Sequence, residues 1–430
     1  MRRHLTSASI ASASIATWFA YFLAITCSLF VFTSSAFAST ETVLHNFTGH
    51  QGGAYPIFGM VFDNAGNLYG ITSTGGSGFS GNAFKLSPNG DGGWDYTQIY
   101  SFTDCSAACY PQGPLTLDEA GNLYGTAQAG GPANNGTVFK LTPSDGSWSL
   151  TVLYSFGQNG STDGSAPNGV VYFNGGLYGT TSQGGKYAGG TVFSVTPNPD
   201  GGWSETVLHS FRENNIDGNN PMAGVTLDAK GNIYGTTSEG GPSQAGTVFE
   251  LSQNRNGTWY ERILHSFNVT DGDMPWYGSL ILDQNGNLYG TTGGGGSGNY
   301  GTVFELTRSR DVWSENVLHN FAGGEDGATP DAGVVMDSEG RLYGTTVEGG
   351  GRGVCENYPN PTNLYCGTAF LLTPSPSGSW ALSFLHRFAN GADGGQPTAA
   401  VVLDRNDNVY GVASQGGTDG VAFELQHPSR

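Results

Sequence analysis

The sequence contains little positive charge. Its 430 residues include 16 lysines and arginines against 35 aspartates and glutamates, which gives a formal net charge of −19. A surface of this sign repels phosphate backbones and anionic lipid headgroups. Nucleic acids are therefore excluded as partners, whereas neutral polymers, sugars and cations are not.

Two kinds of site signature are also missing. Residues 241–247 fit G-x-x-x-x-G-T, but this segment and its six relatives lack the lysine of a phosphate-binding loop. A strand-like run follows instead of a helix, so there is no helix N-terminus to bind phosphate. The chain also has no D-x-[DN]-x-[DN] calcium ladder. We therefore predict no cofactor and no metal ligands, with Ca²⁺ held by a ring of carboxylates as the alternative.

Cysteine is scarce, with five residues in the whole chain. One of them, Cys27, lies in the N-terminal segment. The other four are Cys105, Cys109, Cys355 and Cys366. An even number in an exported chain predicts two disulfides with three alternative connectivities. We favour the local pairs, Cys105–Cys109 and Cys355–Cys366, because each pair lies within one loop insertion of the repeat described below.

The N-terminus has the features of a signal peptide. Arg2 and Arg3 precede an apolar stretch over residues 10–32, and residues 36–38 form an A-x-A cleavage site. We predict that residues 1–38 are removed and that residues 39–430 form a single extracytoplasmic domain with no membrane span. The protein would be secreted, periplasmic or on the cell surface. A retained N-terminal anchor and lipidation at Cys27 are the alternatives.

A repeat dominates the remaining sequence. The glycine of a Tyr-Gly pair recurs seven times, at positions 70, 125, 179, 235, 290, 344 and 411. The spacings are 54–56 residues, except for 67 in the last. Each copy carries four short apolar runs separated by turn residues, and in the fourth copy these runs are 224–228, 232–237, 246–252 and 259–267. No segment after the N-terminus shows a sustained helical period.

Seven such copies predict an all-β fold, a seven-bladed β-propeller of four-stranded antiparallel blades. A ring buries sheet faces that one open unit would expose. Residues 41–47 match a fourth strand but come first, and the last copy stops after its third strand, residues 421–425. The N-terminal strand is therefore expected to complete the last blade. We expect a monomer.

The repeated motifs also resemble a known family. N-[LIV]-Y-G-[TIV]-[TA], G-T-[VA]-F-x-L and V-L-[HY]-[SN]-F occur here as NLYGTT (287–292), GTVFEL (301–306) and VLHSF (207–211). Together they are similar to the GloVer-type tandem repeat of exported bacterial proteins with a choice of anchor, over about residues 41–425. The resemblance implies an exported, propeller-like protein and brings no established activity or catalytic residues. We expect the chain to lack the optional C-terminal anchor of that family.

Residues that recur in nearly every copy are interpreted as architectural, because chemistry usually needs one asymmetric site. The tyrosine before the repeat glycine and the tryptophan that starts each internal fourth strand are predicted to pack between blades. Histidine and tyrosine alternate at one position of the fourth strand: His45, Tyr100, Tyr154, His209, His265, His319 and His386. Since tyrosine replaces histidine there, we predict space filling rather than zinc binding or proton transfer.

Candidate binding residues lie in two sets of loops expected to open on one face. One set, the D-G loops, lies before the first strands and carries D-G-x-x-P in five of the seven copies, and the other is the Gly-Gly loop between the second and third strands. Asp271 and Asp326 belong to the D-G motif, while Asp273, Trp276, Tyr277 and Asp331 are not shared between copies. Phe58 and Tyr110 lie in the same loops. Exposed aromatic rings beside carboxylates suit sugar binding.

These features predict an exported, non-enzymatic propeller that binds a polysaccharide, a cell-wall polymer or a surface protein through its loop-rich face. One alternative is a carbohydrate-active hydrolase or lyase that uses two loop carboxylates, with Asp271, Asp273 and Asp331 as candidates. Another is a purely structural adhesion module. No catalytic residue is assigned.

Overall fold

The computed structural model describes residues 39–212, 214–310, 312–350 and 366–427. Within these ranges the regular structure is β-strand with three short 3₁₀ turns, at His50–Gly52, Gly160–Thr162 and Gly324–Asp326. None of the helices found there has the length and apolar character needed to cross a membrane. The predicted signal peptide, Cys27 and Cys355 lie outside the described residues.

Seven four-stranded antiparallel sheets follow one another along the chain and confirm the predicted seven-bladed propeller. The N-terminal strand is β1 (Thr40–Asn46). Blade 1 contains β2 (Val61–Phe62), β3 (Leu68–Thr72), β4 (Asn82–Pro88) and β5 (Trp94–Ser101). Blade 2 contains β6 (Cys109–Leu117), β7 (Leu123–Ala129), β8 (Thr137–Ser144) and β9 (Ser147–Ser155). Blade 3 contains β10 (Gly164–Phe173), β11 (Gly176–Gly184), β12 (Ala188–Pro197) and β13 (Trp203–Arg212).

The remaining blades repeat this order. Blade 4 contains β15 (Thr226–Leu227), β16 (Ile233–Thr237), β18 (Thr247–Gln253) and β19 (Trp259–Ser266), with β14 (Gly218–Asn219) paired to β17 (Glu239–Gly240) in its loops. Blade 5 contains β20 (Ile281–Leu282), β21 (Leu288–Thr292), β22 (Thr302–Ser309) and β23 (Val312–Asn320). Blade 6 contains β24 (Val335–Met336), β25 (Leu342–Thr346), β26 (Thr368–Pro374) and β27 (Trp380–Arg387). Blade 7 contains β28 (Val402–Leu403), β29 (Val409–Ala413) and β30 (Val421–Gln426).

The two ends of the chain meet in blade 7. Strand β1 pairs antiparallel with β30, from Thr40 opposite Gln426 to Asn46 opposite Val421. The predicted closure by the N-terminal strand is therefore confirmed. Phe47, directly after β1, is fully buried, so the closing segment contributes to the core as well as to the sheet.

The repeat glycine has a steric cause. A Cβ atom on Gly235 would lie 2.5 Å from the ring of Phe249, which stands opposite it on the next strand. The same third-strand phenylalanine meets the Tyr-Gly glycine in every blade. Tyr-Gly and G-T-V-F are thus two halves of one packing unit, because only glycine leaves room for the ring.

Neighbouring blades are joined by two recurring aromatic contacts. At all seven interfaces a phenylalanine at the end of the last strand packs edge-on against the third-strand phenylalanine of the next blade, at 5.0–5.3 Å between ring centroids. At five interfaces the repeat tyrosine lies 5.8–6.5 Å from the repeat tryptophan of the next blade. The repeated tyrosines and tryptophans therefore pack between blades, as predicted.

In five blades the innermost strand is only two residues long, shorter than the sequence predicts, whereas β6 and β10 are longer. The expected run 224–228 becomes a strand of only two residues, Thr226–Leu227. Residues just before these strands instead approach the backbone of an adjacent blade. A Cβ atom on Gly278, for example, would lie 2.5 Å from the amide nitrogen of Gly333. Close backbone approach around the central channel thus replaces sheet pairing at this point.

Candidate functional site

The D-G loops and the Gly-Gly loops lie side by side. Bridges join Ala54 to Thr74, Asp273 to Gly294 and Ala328 to Glu348, and a further bridge joins Gly395 to Gln415. Each bridge links the loop before a first strand to the loop between the second and third strands of the same blade. We call the face formed by these two sets of loops the mouth.

One backbone conformation recurs in the mouth loops of every blade. The residue before each loop proline is left-handed, with φ between 52 and 58°: Tyr55, Tyr110, Ala166, Asn220, Met274, Thr329 and Gln396. Each donates its backbone N–H to a carbonyl of the preceding blade, at 2.8–3.2 Å. Because this geometry recurs seven times, it belongs to the frame, and differences within the mouth come from side chains.

An apolar cavity of about 240 Å³ lies among the innermost segments of five blades. Phe58 and Tyr277, both predicted as ligand contacts, line it together with Met60 and Pro114. Phe58 is 9% exposed and Tyr277 is 42% exposed. The structure therefore brings these two aromatic side chains to one cavity from blades 1 and 5.

Trp276 and Tyr277 form an aromatic pair beside this cavity. Their ring centroids lie 6.5 Å apart with the planes tilted by 50°. The Tyr277 N–H donates to the Asp331 carbonyl oxygen at 3.2 Å, which ties blade 5 to blade 6. Burial, together with the charge of Asp331, raises the pKa of the Tyr277 phenol.

Asp331 is the least ordinary acid in the mouth. The residue is 9% exposed, and its Oδ1 atom is buried without a hydrogen-bond partner. A Cβ atom placed on Gly293 would lie 2.8 Å from this Oδ1 and 3.3 Å from the Trp276 ring, so the carboxyl group and the ring flank the same glycine. Burial, reinforced by the charge of Glu348, raises the pKa of Asp331 to about 7.

The other predicted acids have different surroundings. Asp273 is partly buried in the loop that carries Trp276, and burial raises its pKa. Asp271 accepts hydrogen bonds from the backbone and side chain of Asn268, at 2.9 and 2.7 Å. Asp326 accepts from the Ala322 N–H at 2.8 Å and contacts His319. Asp271 and Asp326 therefore stabilise their own turns, apart from the Trp276–Asp331 group.

Tyr110 lies beside a disulfide. Cys105 and Cys109 are bonded, with 4.9 Å between their Cα atoms, which confirms this predicted pair. Tyr110 is 45% exposed and does not line the apolar cavity. Cys366 is fully buried. The pairing predicted between Cys355 and Cys366 remains a prediction, since Cys355 is outside the described residues.

A second group of polar residues, missed by the sequence analysis, lies at the blade interfaces. At the interface of blades 3 and 4, His209 Nε2 lies 3.5 Å from Asp217 Oδ2 and 3.5 Å from Glu261 Oε2. At the next interface, His265 Nε2 lies 3.3 Å from Asp271 Oδ2, and Glu315 completes the group. We call these two groups the interface triads.

The glutamates of the triads are unusual acids. Burial, then the neighbouring Asp217, raises the pKa of Glu261, while burial, then Asp271, raises that of Glu315 to about 7. Both follow the repeat tryptophan by two residues. The sequence signal for an interface triad is therefore a glutamate two residues after the repeat tryptophan, combined with the recurring histidine and the D-G aspartate.

Known proteins share the fold at low sequence identity. No curated protein matches the chain significantly. A solved structure of a proposed 6-phosphogluconolactonase from Bacteroides uniformis is similar at 12% identity and a TM-score of 0.52, over 84% of this chain and 92% of that one. An ancestral GH74 enzyme is similar at 11% identity and a TM-score of 0.53, over 91% of this chain but only 52% of its own length. At such identities the likeness shows the fold alone.

The motifs that build the blades are also those that carry the family resemblance. Tyr-Gly and G-T-V-F meet inside each blade, and the last-strand phenylalanine joins each blade to the next. Residues 29–193 match the Gloeobacter/Verrucomicrobia repeat, which confirms the family resemblance that the motifs predicted.

Proposed function

We propose that the protein is an exported, non-enzymatic β-propeller that binds a glycan through its mouth. The observation that carries the proposal is the group at blades 5 and 6. There the unshared aromatics Trp276 and Tyr277 stand beside Asp331, whose buried Oδ1 has no hydrogen-bond partner.

The chemistry of this group suits a sugar. Aromatic faces stack on the apolar C–H face of a sugar ring, while a carboxyl group bonds a hydroxyl. An unpaired buried oxygen costs free energy that a ligand hydroxyl would recover. Phe58 and the apolar cavity next to Tyr277 extend the contact surface toward blade 1.

Export is supported by covalent structure as well as by the predicted signal peptide. The Cys105–Cys109 disulfide is typical of proteins that reside in oxidising compartments outside the cytosol. Glycans of the cell wall or its surroundings are the polymers that such a protein meets.

The experiment is a binding screen of the full chain against a panel of glycans and cell-wall polymers, repeated with Trp276→Ala. We expect the affinity for the bound polymer to fall at least about tenfold, the equivalent of about 1.4 kcal/mol. Phe79→Ala is the matched control, because Phe79 is an exposed mouth aromatic outside the Trp276–Asp331 group. Equal affinity of wild type and Trp276→Ala would contradict the proposed site.

Asp331 supports a second candidate, a carbohydrate-active enzyme. A buried acid with a raised pKa near another carboxyl, here Glu348, is the arrangement a general acid needs. Both of the solved structures described above are named for enzymes. Release of reducing ends that survives Trp276→Ala but is lost in Asp331→Asn would favour the enzyme. Absence of both binding and turnover would favour a structural adhesion module.

A further inference from the structure

The two interface triads share one construction. Each takes a histidine from the last strand of one blade, the aspartate of the following D-G loop, and a glutamate from the last strand of the next blade. In each triad, ligand atoms from all three side chains lie within 4.8 Å of one another. We propose that each triad binds a first-row divalent cation of the Zn²⁺ class and thereby clamps two blades together.

The separations fit a metal centre. Two ligand atoms about 2.0–2.1 Å from a tetrahedral ion lie about 3.3 Å apart. The imidazole nitrogen and carboxylate oxygens are separated by 3.5 and 3.5 Å around His209 and by 3.3 Å from His265 to Asp271. These three separations are thus close to the spacing of ligands around one ion.

Unpartnered atoms point to the same conclusion. His209 Nε2, His265 Nε2, Glu261 Oε1 and Glu315 Oε1 are all buried without a hydrogen-bond partner. Buried polar atoms normally have one. In the two triads the imidazole and the glutamate both lack a partner, whereas elsewhere among the described residues the deficit falls on one of the two positions only, at His45, Glu41 and Glu205. A cation would satisfy the imidazole nitrogens and the carboxylates together.

The interface of blades 5 and 6 provides an internal contrast. Here the glutamate position is occupied by Leu382, and His319 Nε2 forms a hydrogen bond of 3.2 Å with Asp326 Oδ2. The histidine and aspartate therefore satisfy each other at this interface. At the interface of blades 6 and 7, Glu41 occupies the glutamate position and His386 Nε2 still bonds Asp393 Oδ2 at 3.2 Å, whereas in the two triads His209 and His265 lie 3.5 and 3.3 Å from their aspartates.

The surroundings hold the ligands in place. Asp217 accepts hydrogen bonds from the backbone N–H groups of Arg212 and Gly218 at 3.1 and 2.8 Å, and such bonds hold the carboxylates of metal sites in a fixed orientation. The His209 ring packs edge-on against Phe211, at 4.7 Å between centroids. Such support fixes the donor atoms before an ion arrives.

The donor set selects the class of ion. Imidazole with carboxylates suits zinc and neighbouring first-row metals, whereas calcium takes oxygen ligands. This proposal departs from the sequence-based interpretation, which assigned no metal and treated the histidines as space filling. Replacement by tyrosine at Tyr100 and Tyr154 still fits, because those interfaces carry no histidine triad.

The test is titration of the chelator-treated full chain with Zn²⁺ by calorimetry, with Co²⁺ absorption as a spectroscopic report on the ligand set. We expect about two ions per chain, one for each triad. Glu261→Leu, which copies the residue at Leu382, should remove one ion, and the double variant with Glu315→Leu should remove both. The melting temperature of the wild type should rise with Zn²⁺, and that of the double variant should not.

Glu205→Leu is the control, because Glu205 occupies the same position but faces Tyr154 and Asp163 instead of a histidine. This variant should keep both ions. If Glu261→Leu does not fold, Glu261→Gln preserves the size of the side chain and should still lose one ion. Absence of Zn²⁺ binding by the wild type, or a stoichiometry unchanged in the double variant, would overturn the proposal.

Discussion

The blade interfaces and the mouth are built from the same repeat, but the interfaces repeat side-chain contacts whereas the mouth repeats only its backbone conformation. At the interfaces the Phe–Phe contact recurs seven times with centroid distances that vary by only 0.3 Å, from 5.0 to 5.3 Å. In the mouth the backbone recurs equally well, with seven left-handed residues before seven prolines. The side chains after those prolines do not recur, and Trp276 and Asp331 are found at one blade each.

The difference separates stability from function. Substitutions in the interfaces should change the free energy of unfolding and leave the surface available to ligands unaltered. Substitutions of unshared mouth residues should change ligand binding with little loss of stability, because these side chains contribute less to packing within the protein.

The largest effect is expected from removal of the closing segment, residues 39–47. The deletion removes the β1–β30 pairing and the buried side chains of Leu44 and Phe47. At about 2–5 kcal/mol for each large core side chain, the loss should exceed about 5 kcal/mol. Thermal melting measures it, and a peptide of residues 39–47 added in trans should restore part of the loss. An unchanged melting temperature would contradict the closure seen in blade 7.

A single interface residue should have the next largest effect. Phe249 is fully buried against Phe211 and the repeat glycine, so Phe249→Ala should cost about 3–5 kcal/mol in urea unfolding. The same substitution at Phe79, which is 63% exposed in a mouth loop, should change stability by no more than about 0.5 kcal/mol. Equal losses in the two variants would show that interfaces and mouth are not energetically distinct.

Asp331 should behave in the opposite sense, because it is a mouth residue that destabilises the fold. Its pKa rises from 3.8 to about 7 on folding, so the folded state binds its proton more tightly than the unfolded state does. The stability that the folded state gains from this tighter proton binding is fully present below about pH 4 and is lost as the pH rises to about 7. Asp331→Asn should therefore be more stable than wild type at pH 8, by up to about 4 kcal/mol, and equal to it near pH 4.

Asp63→Asn is the control of opposite sign. Burial works against ionisation of Asp63, but hydrogen bonds from Asn67, Ala65 and Tyr69 lower its pKa overall. Its carboxylate stabilises the fold above the unfolded pKa, so Asp63→Asn should lose stability at pH 8 and little at low pH. A stability difference for Asp331→Asn that does not depend on pH would show that the acid is not held in its neutral form.

Much of the architecture could be predicted from the sequence, because repetition averages out local ambiguity. Seven copies of Tyr-Gly and G-T-V-F specified the blades, and the unpaired fourth strand at residues 41–47 specified the closure. The packing of Tyr69 on Trp148 in the next blade followed from their recurrence. The Cys105–Cys109 pair followed from their closeness in one loop.

Other features could not be predicted, because they depend on contacts between copies. A residue before proline is expected to be extended, yet Met274 and its six equivalents are left-handed because their N–H groups bond to the preceding blade. The burial of Asp331 beneath Gly293 has no signal in the chain. The interface triads could not be predicted from single copies of the repeat, because the histidine and the glutamate of each triad lie in neighbouring copies.

The meeting of β1 and β30 also determines the order in which the molecule can fold. Six blades pair strands that are close along the chain, and each can form as soon as its own segment is free to move. The seventh pairs Thr40 with Gln426, so the loop that must close to form it contains almost the entire sequence. The entropy cost of closing that loop is therefore larger than for any other blade. Joining the ends should therefore be the slow folding step, and opening that joint should control the lifetime of the native ring.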